Sequence, residues 1–468
     1  MRSTPRLALA VVLAGLLPAS ADAAQGQWSS PTTITAGGSS PLSGIAETFI
    51  TSDGRSLVVT SDGSTPLVAV GNAGGAFSAP TPVGSPAADL AQVDGAVGPD
   101  GSFAVAWVSG GVAHVALAPP GGTLGAPVDL PGTNATAVAV TIGPDNRPTV
   151  AFRTKDAPSG FSTLSTATAP PDSTAFAEPL ALDTTRSVVD SMDVAAIAGG
   201  TVGVVYRKQA PSGFQTYAAV YQAGALNYET PQLVSSTGNG DMGEQIVAGA
   251  DGSFTVAWGN SGFGPAYAVR GAGAGAFGAA LPLNPAGGDA APSVDLAATP
   301  AGGAAAAWAG GGAIRAATSP PGGTFGTPLA LAGYADDIVS TPAVTVAPDK
   351  TLTVVVNHPA DGSVVTTDAG GATQVIGAGA AGTPSPVAVA SSATRTVAAW
   401  RNAGGGISVA TRSPVVTPAP TKPNTVPGTV DKTGPKITRI AKVKRVLFHE
   451  TPTVVRLKVR CSEACRVT

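Results

Sequence analysis

The sequence predicts an all-β chain in which four-stranded units repeat around a closed ring. Three observations predict it: a phrase that recurs every 44 to 54 residues, four strand-like pieces within each period, and complementary pieces at the two ends of the repeating region. Composition agrees. Of 468 residues, 61 are Gly and 41 Pro, 43% are apolar and 12% are charged. The apolar share supplies a core, which excludes wholesale disorder. Turn formers at this density separate many short strands. Two Cys and three His leave too few ligands for a multi-ligand zinc or haem centre, so no cofactor is expected.

Residues 1–23 read as a secretory signal. Arg2 and Arg6 form a positive start, Leu7 to Leu17 a short apolar run, and Ala21-Asp22-Ala23 a small-residue cleavage pattern. The run is shorter than the roughly 20 residues a bilayer span needs, and no later stretch is long and apolar enough. The expectation is an extracellular or cell-surface protein with no transmembrane segment after signal cleavage.

The repeat occupies residues 26–412. Its clearest copies are Asp100-Gly101-Ser102-Phe103-Ala104-Val105-Ala106-Trp107 and Asp251-Gly252-Ser253-Phe254-Thr255-Val256-Ala257-Trp258. Related copies end at Phe152, Tyr206, Trp308 and Trp400, weaker ones at Thr60 and Val356. In the sixth period the pieces are Ser293 to Ala298, Ala304 to Trp308, Ala313 to Ala317 and Gly326 to Ala330. Four strands per period are the signature of a β-propeller blade. The count is eight blades, with seven as the alternative. The alternation Phe254, Val256, Trp258 has the period of a strand, and its small intervening residues suit sheets covered on both faces. The Trp at the repeat ends therefore reads as packing. The last repeat supplies three strands, ending near Arg412. The segment Gly26 to Ile34 reads like Gly323 to Leu331, so the N-terminal strand is expected to complete the C-terminal blade and remove the free edges.

The Gly-Gly-x-Phe-Gly-x-Pro turn at Gly322 to Pro328, with partial copies at Gly121 to Pro127 and Gly74 to Pro80, adds a resemblance. With the blade rhythm, it resembles secreted bacterial β-propellers of the broad sialidase-like and exo-sialidase-like repeat group, over residues 26–412. The resemblance implies a propeller that meets glycans. Sialidases carry Asp-box turns, Ser-x-Asp-x-Gly-x-x-Trp, and none occurs here. No arginine cluster or Tyr–Glu pair is identifiable either, so no catalytic residue is assigned.

Residues 413–430 are rich in Pro and Thr and read as an extended linker. Charge then changes sign. Residues 24–412 hold 13 basic and 25 acidic residues, and residues 413–468 hold 11 basic against Asp431, Glu450 and Glu463. Such a switch supports a domain boundary. The stretch Asp431 to Ile437 resembles the opening of Ig-like domains of bacterial surface proteins. Residues 431–468 are fewer than the roughly 100 of a sandwich and read as a partial domain. Cys461 and Cys465 read as a local disulfide across a tight turn in an exported chain.

The sharpest candidate site lies in repeats three to five. Ala157-Pro158-Ser159-Gly160-Phe161 reappears as Ala210-Pro211-Ser212-Gly213-Phe214, each after a basic pair, Arg153 with Lys155 and Arg207 with Lys208. Repeat five has the echo Ser261-Gly262-Phe263. These loops join second and third strands of neighbouring blades, so they should share one rim, where cations and aromatics suit an anionic or glycan ligand. The competing reading is that Pro-Ser-Gly makes a plain hairpin turn. Asp241 with Glu244 reads as a solvated acidic turn rather than a calcium loop. The propeller has no phosphate-binding loop and no basic stripe for nucleic acid.

The expected function is a non-enzymatic, secreted or surface-displayed binding propeller whose partner is a glycan or a surface protein. The alternatives are a glycan-active hydrolase or lyase, which carboxylates or arginines clustered at the axis would favour, and a structural envelope spacer.

Overall fold

The structure is a computed structural model. It describes residues 26–413, apart from 36–44, 157–158, 188, 212, 236–240, 261, 263, 288–290, 292, 311, 332–340, 359, 369–372 and 383–384. The signal segment, the linker beyond its first residue, the Ig-like segment and the Cys461–Cys465 pair lie outside the described residues. Among the described residues no helix is long and apolar enough to cross a membrane.

Eight antiparallel four-stranded sheets form the blades of a β-propeller. The eight repeat ends all fall on second strands, for example Phe103–Ser109 in blade 2, Phe254–Asn260 in blade 5 and Ala304–Gly310 in blade 6. First strands of successive blades contact one another around the axis. Fourth strands lie outermost and are often two residues long, as at Thr81–Pro82 and Val128–Asp129, which leaves little unpaired edge for another chain.

Local chemistry explains the strand starts. Asp100 Oδ1 and Asp251 Oδ1 accept the amides of Ser102 and Ser253 at 2.8 and 3.0 Å, closing Asx turns. The glycine between each pair, Gly101 and Gly252, has φ of 90° and 83°, where side chains are disfavoured. The outermost strand of blade 6 is Leu329–Leu331 rather than Gly326 to Ala330. Pro328 has no N–H to give the ladder, so pairing begins only after it.

The core lies between blades. Trp258, Trp308 and Trp400 are at most 1% exposed, and Trp107 is 3% exposed. Their place at the end of an Ala- and Val-rich second strand lets a large ring fill the gap to the neighbouring blade, as the repeat pattern predicts. Closure also follows the expectation. Thr32–Thr33 pairs with Ile407–Arg412 as the fourth strand of blade 8, in the register Thr32 to Val409 and Thr33 to Ser408.

Candidate functional site

Two places gather polar chemistry: the rim of blades 3 to 5 and the axis. At the rim, Arg153 stands near the end of Pro148–Lys155, and Arg207 and Lys208 near the end of Thr201–Ala210. Both guanidinium groups reach sideways to the next blade. Arg153 Nη1 donates to the carbonyls of Val189 and Asp190 at 2.5 and 2.8 Å, and its Nε to Thr136 Oγ1 at 2.8 Å. Arg207 Nη1 donates to the Asp241 carbonyl at 2.6 Å, and its Nη2 pairs with Asp190 Oδ2. Asp190 thus joins the two arginines, one through its main chain and one through its carboxylate.

The rest of the predicted patch divides. Lys155 is exposed and Phe161 half-buried. Phe214 lies under the Arg207 guanidinium, 4.8 Å from ring centroid to Cζ. Lys208 Nζ bonds Asp183 Oδ2 at 2.8 Å and stands 5.4 Å from the Tyr217 ring centroid. Asp183 also accepts the Tyr206 hydroxyl at 2.7 Å. Phe263 lies outside the described residues. The structure therefore joins Arg153, Arg207 and Phe214 through Asp190, places Lys208 in a separate group with Asp183, Tyr206 and Tyr217, and leaves Lys155 outside both.

The acidic turn expected to be solvated is buried instead. Asp241 is fully buried, accepting Asn260 Nδ2 at 2.9 Å and both the amide and hydroxyl of Thr216 at 3.1 Å. Glu244 is 4% exposed and accepts the Ser191 hydroxyl through Oε2. Burial raises the Glu244 carboxyl above its usual range. A register shift between Met242 and Gln245 turns these side chains inward, a bulge that sequence periodicity does not reveal. Among the described residues, no group of three or more His, Cys, Asp or Glu is arranged to hold a metal.

The axis carries residues that the sequence reading did not single out as a site. Glu47, Asp94, Asp193 and Asp295 stand on the first strands of blades 1, 2, 4 and 6, each opposite the residue just before the repeat end. Gln245 takes the same place in blade 5. Asp94, Asp193, Gln245 and Asp295 reach to the amide edge of the following blade. Val140 N–H donates to Asp94 Oδ2 at 2.7 Å, Ile246 N–H to Asp193 Oδ2 at 2.9 Å, and Val344 N–H to Asp295 Oδ2 at 2.6 Å. Leu296 N–H donates to Gln245 Oε1 in the same way. Each acceptor occupies an edge amide that the blade's own ladder leaves free.

The four carboxyls keep part of their surface open while protein atoms surround them. Desolvation is the largest influence on each. It pushes Asp94 up to about 7, and Asp193 and Asp295 up to about 6. Glu47 is raised well above the usual range, first by desolvation and then by the charges of Asp94, Asp295 and Asp193. A signal for this ring was available: Asp94 to Trp107, Asp193 to Tyr206 and Asp295 to Trp308 are each thirteen residues apart, as are Glu47 and Thr60.

His114 is committed elsewhere. Its Nδ1 pairs with Asp129 Oδ1 at 2.7 Å, its Nε2 lies 3.2 Å from the Ser109 carbonyl, and its ring stacks on Trp107. Among the described residues no serine hydroxyl is its hydrogen-bond partner.

No protein-family description and no curated protein matches the chain. Among solved structures it is similar to an ulvan lyase bound to an ulvan fragment, at 11% identity, covering 82% of this chain and 95% of that one, with a TM-score of 0.46. It is similar to a streptogramin B lyase at 11% identity, covering 82% and 97%, with a TM-score of 0.44. A Hadza microbial sialidase matches at 9% identity, covering 77% and 73%, with a TM-score of 0.41. These likenesses concern the fold alone.

Proposed function

We propose that the chain is a secreted or cell-surface binding propeller that presents the rim of blades 3 to 5 to a glycan or a partner protein. One observation carries this reading: on that rim the Arg207 guanidinium lies over the Phe214 ring and is joined through Asp190 to Arg153 of the preceding blade. An aromatic face with fixed cations beside it suits the apolar face of a sugar and its acidic substituents, or an acidic peptide. Arg153 and Arg207 act in this reading as the frame, because their guanidinium groups already hold neighbouring blades. Lys155, Phe161 and Phe214 are the groups available to a ligand.

The test is a glycan array and a surface-protein capture screen with the full chain, followed by Lys155→Ala, Phe161→Ala and Phe214→Ala. A loss of tenfold or more in affinity for the captured ligand, with unchanged unfolding, supports the rim, since stacking and cation contacts are each worth about 1 kcal/mol or more. Unaltered affinity in all three variants overturns it. No capture at all favours a structural spacer.

A second reading, a glycan-active hydrolase or lyase, has its own observation. Carboxyls that hold protons near neutral pH are the groups general-acid catalysis requires, and the axis has three raised to about 6 or 7. Against it, Asp94, Asp193 and Asp295 each have one oxygen engaged by a main-chain amide. Release of new reducing or unsaturated ends from acidic polysaccharides, abolished by Asp94→Asn or Asp193→Asn, would establish this reading over the first.

A further inference from the structure

We infer that the grip between blades at the axis is proton-dependent: the carboxyls of Glu47, Asp94, Asp193 and Asp295 favour the closed ring when protonated and push it apart when ionised. This is independent of which ligand the rim takes.

The geometry begins with equivalence. The same position is filled by Glu47, Asp94, Ala139, Asp193, Gln245, Asp295, Ala343 and Ala388 in blades 1 to 8. No blade supplies a cation there. The first strands that carry these acids pack side by side around the axis, and Glu47 in blade 1 accordingly feels the charges of Asp94, Asp193 and Asp295 in blades 2, 4 and 6. Asp94 is further raised by Asp193, and Asp193 by Asp295.

The remaining neighbours are hydrogen-bond donors. They are the amides of Thr48 for Glu47, Val140 and Gly95 for Asp94, Ile246 and Val194 for Asp193, and Val344 and Leu296 with Gln245 Nε2 for Asp295. Glu244, adjacent to Gln245, feels Arg207 and Asp241 at the rim. Donors favour the ionised form, but desolvation and like charge outweigh them here. Each proton lost places a further negative charge among the others, at an interface that Asp94, Asp193 and Asp295 hold together.

The sign follows from linkage. A carboxyl whose native pKa is raised contributes stability that is fully present below its unfolded pKa, about 4. That contribution is lost as pH rises through the native value, which here means through about 6 to 7. Loosening belongs to the neutral and alkaline side, opposite to ordinary acid denaturation.

The experiment is thermal unfolding of the full chain at pH 5 and pH 8. The native protein is expected to lose about 5–10 °C in midpoint over this interval. The variant carrying Asp94→Asn, Asp193→Asn and Asp295→Asn keeps an amide oxygen for each edge N–H and leaves only Glu47 to ionise, without its three charged neighbours, so its midpoint should change by less than half as much. Asp145→Asn, which removes an outer partner of Arg147, should leave the native slope intact. A native midpoint that does not fall, or a triple variant with the full fall, overturns the inference. Should the triple variant fail to fold, proton uptake decides: native protein at pH 5 should hold about three more protons than denatured protein, and equal counts overturn the inference.

Discussion

At the scale of single residues, the closing blade rests on one buried ion pair. Arg412 Nη1 bonds Asp368 Oδ2 at 2.7 Å and Nη2 bonds Asp368 Oδ1 at 3.2 Å, with both side chains at most 7% exposed. Thr353 Oγ1 accepts from Arg412 Nη2 and donates to Asp368 Oδ1. The far side of the guanidinium covers the Trp28 ring at 5.0 Å. The arginine thus couples blade 7, blade 8 and the N-terminal strand. Asp368→Ala leaves the guanidinium buried without its counter-charge and is expected to cost about 3–5 kcal/mol in urea unfolding. Adding Arg412→Met to that variant should recover part of the loss, because the buried charge then disappears as well. Equal unfolding of the native protein and Asp368→Ala would show that water, not the carboxylate, balances the arginine.

At the scale of strands, close packing sets the sequence. The outermost strand of blade 7, Thr373–Ala378, passes the Trp400 ring of blade 8, and Trp400 Nε1 donates to the Ala378 carbonyl at 3.1 Å. A Cβ added at Gly377 would stand 2.2 Å from Trp400 Cζ2. Gly377→Ala must therefore displace a fully buried ring, and it should destabilise by about 1–3 kcal/mol, with a shift in tryptophan emission. An unchanged midpoint and spectrum would mean that the strand yields without cost. This contact also marks what the chain reveals by itself. The repeat ends, the Asp-Gly turns and the closing strand Thr32–Thr33, which lies within the segment 26–34 singled out, were legible because aromatic residues and turn formers recur at fixed offsets. The partners of Arg153 and Arg207 were not legible. They are the carbonyls of Val189, Asp190 and Asp241, more than 30 residues away, and carbonyls carry no sequence signature. The axial acids stood at a constant offset, yet three of them are the single acid of their first strand and Asp193 shares its strand only with Asp190, so they form no charge run along the chain.

At the scale of the whole molecule, ring closure is the joint that every blade depends on. Trp28 is 8% exposed and packs with Trp400, Ile407 and Val409. Ser29 N–H and Ile34 N–H bond the carbonyls of Thr411 and Ile407, each at 2.8 Å. Removing residues 26–35 deletes this fourth strand and bares the edge of Ile407–Arg412, a strand whose apolar residues Ile407, Val409 and Ala410 are otherwise buried. Two losses then coincide: the Trp28 packing, about 3 kcal/mol or more by itself, and the satisfaction of an edge that can pair with another chain. The shortened chain should melt at a lower temperature and associate with rising concentration in light scattering. Trp28→Ala, which keeps the backbone ladder, should melt lower but stay monodisperse relative to the native protein. Association in Trp28→Ala equal to that of the deletion would assign the effect to the lost ring rather than to the open edge, and a monodisperse deletion would show that blade 8 closes without its N-terminal strand.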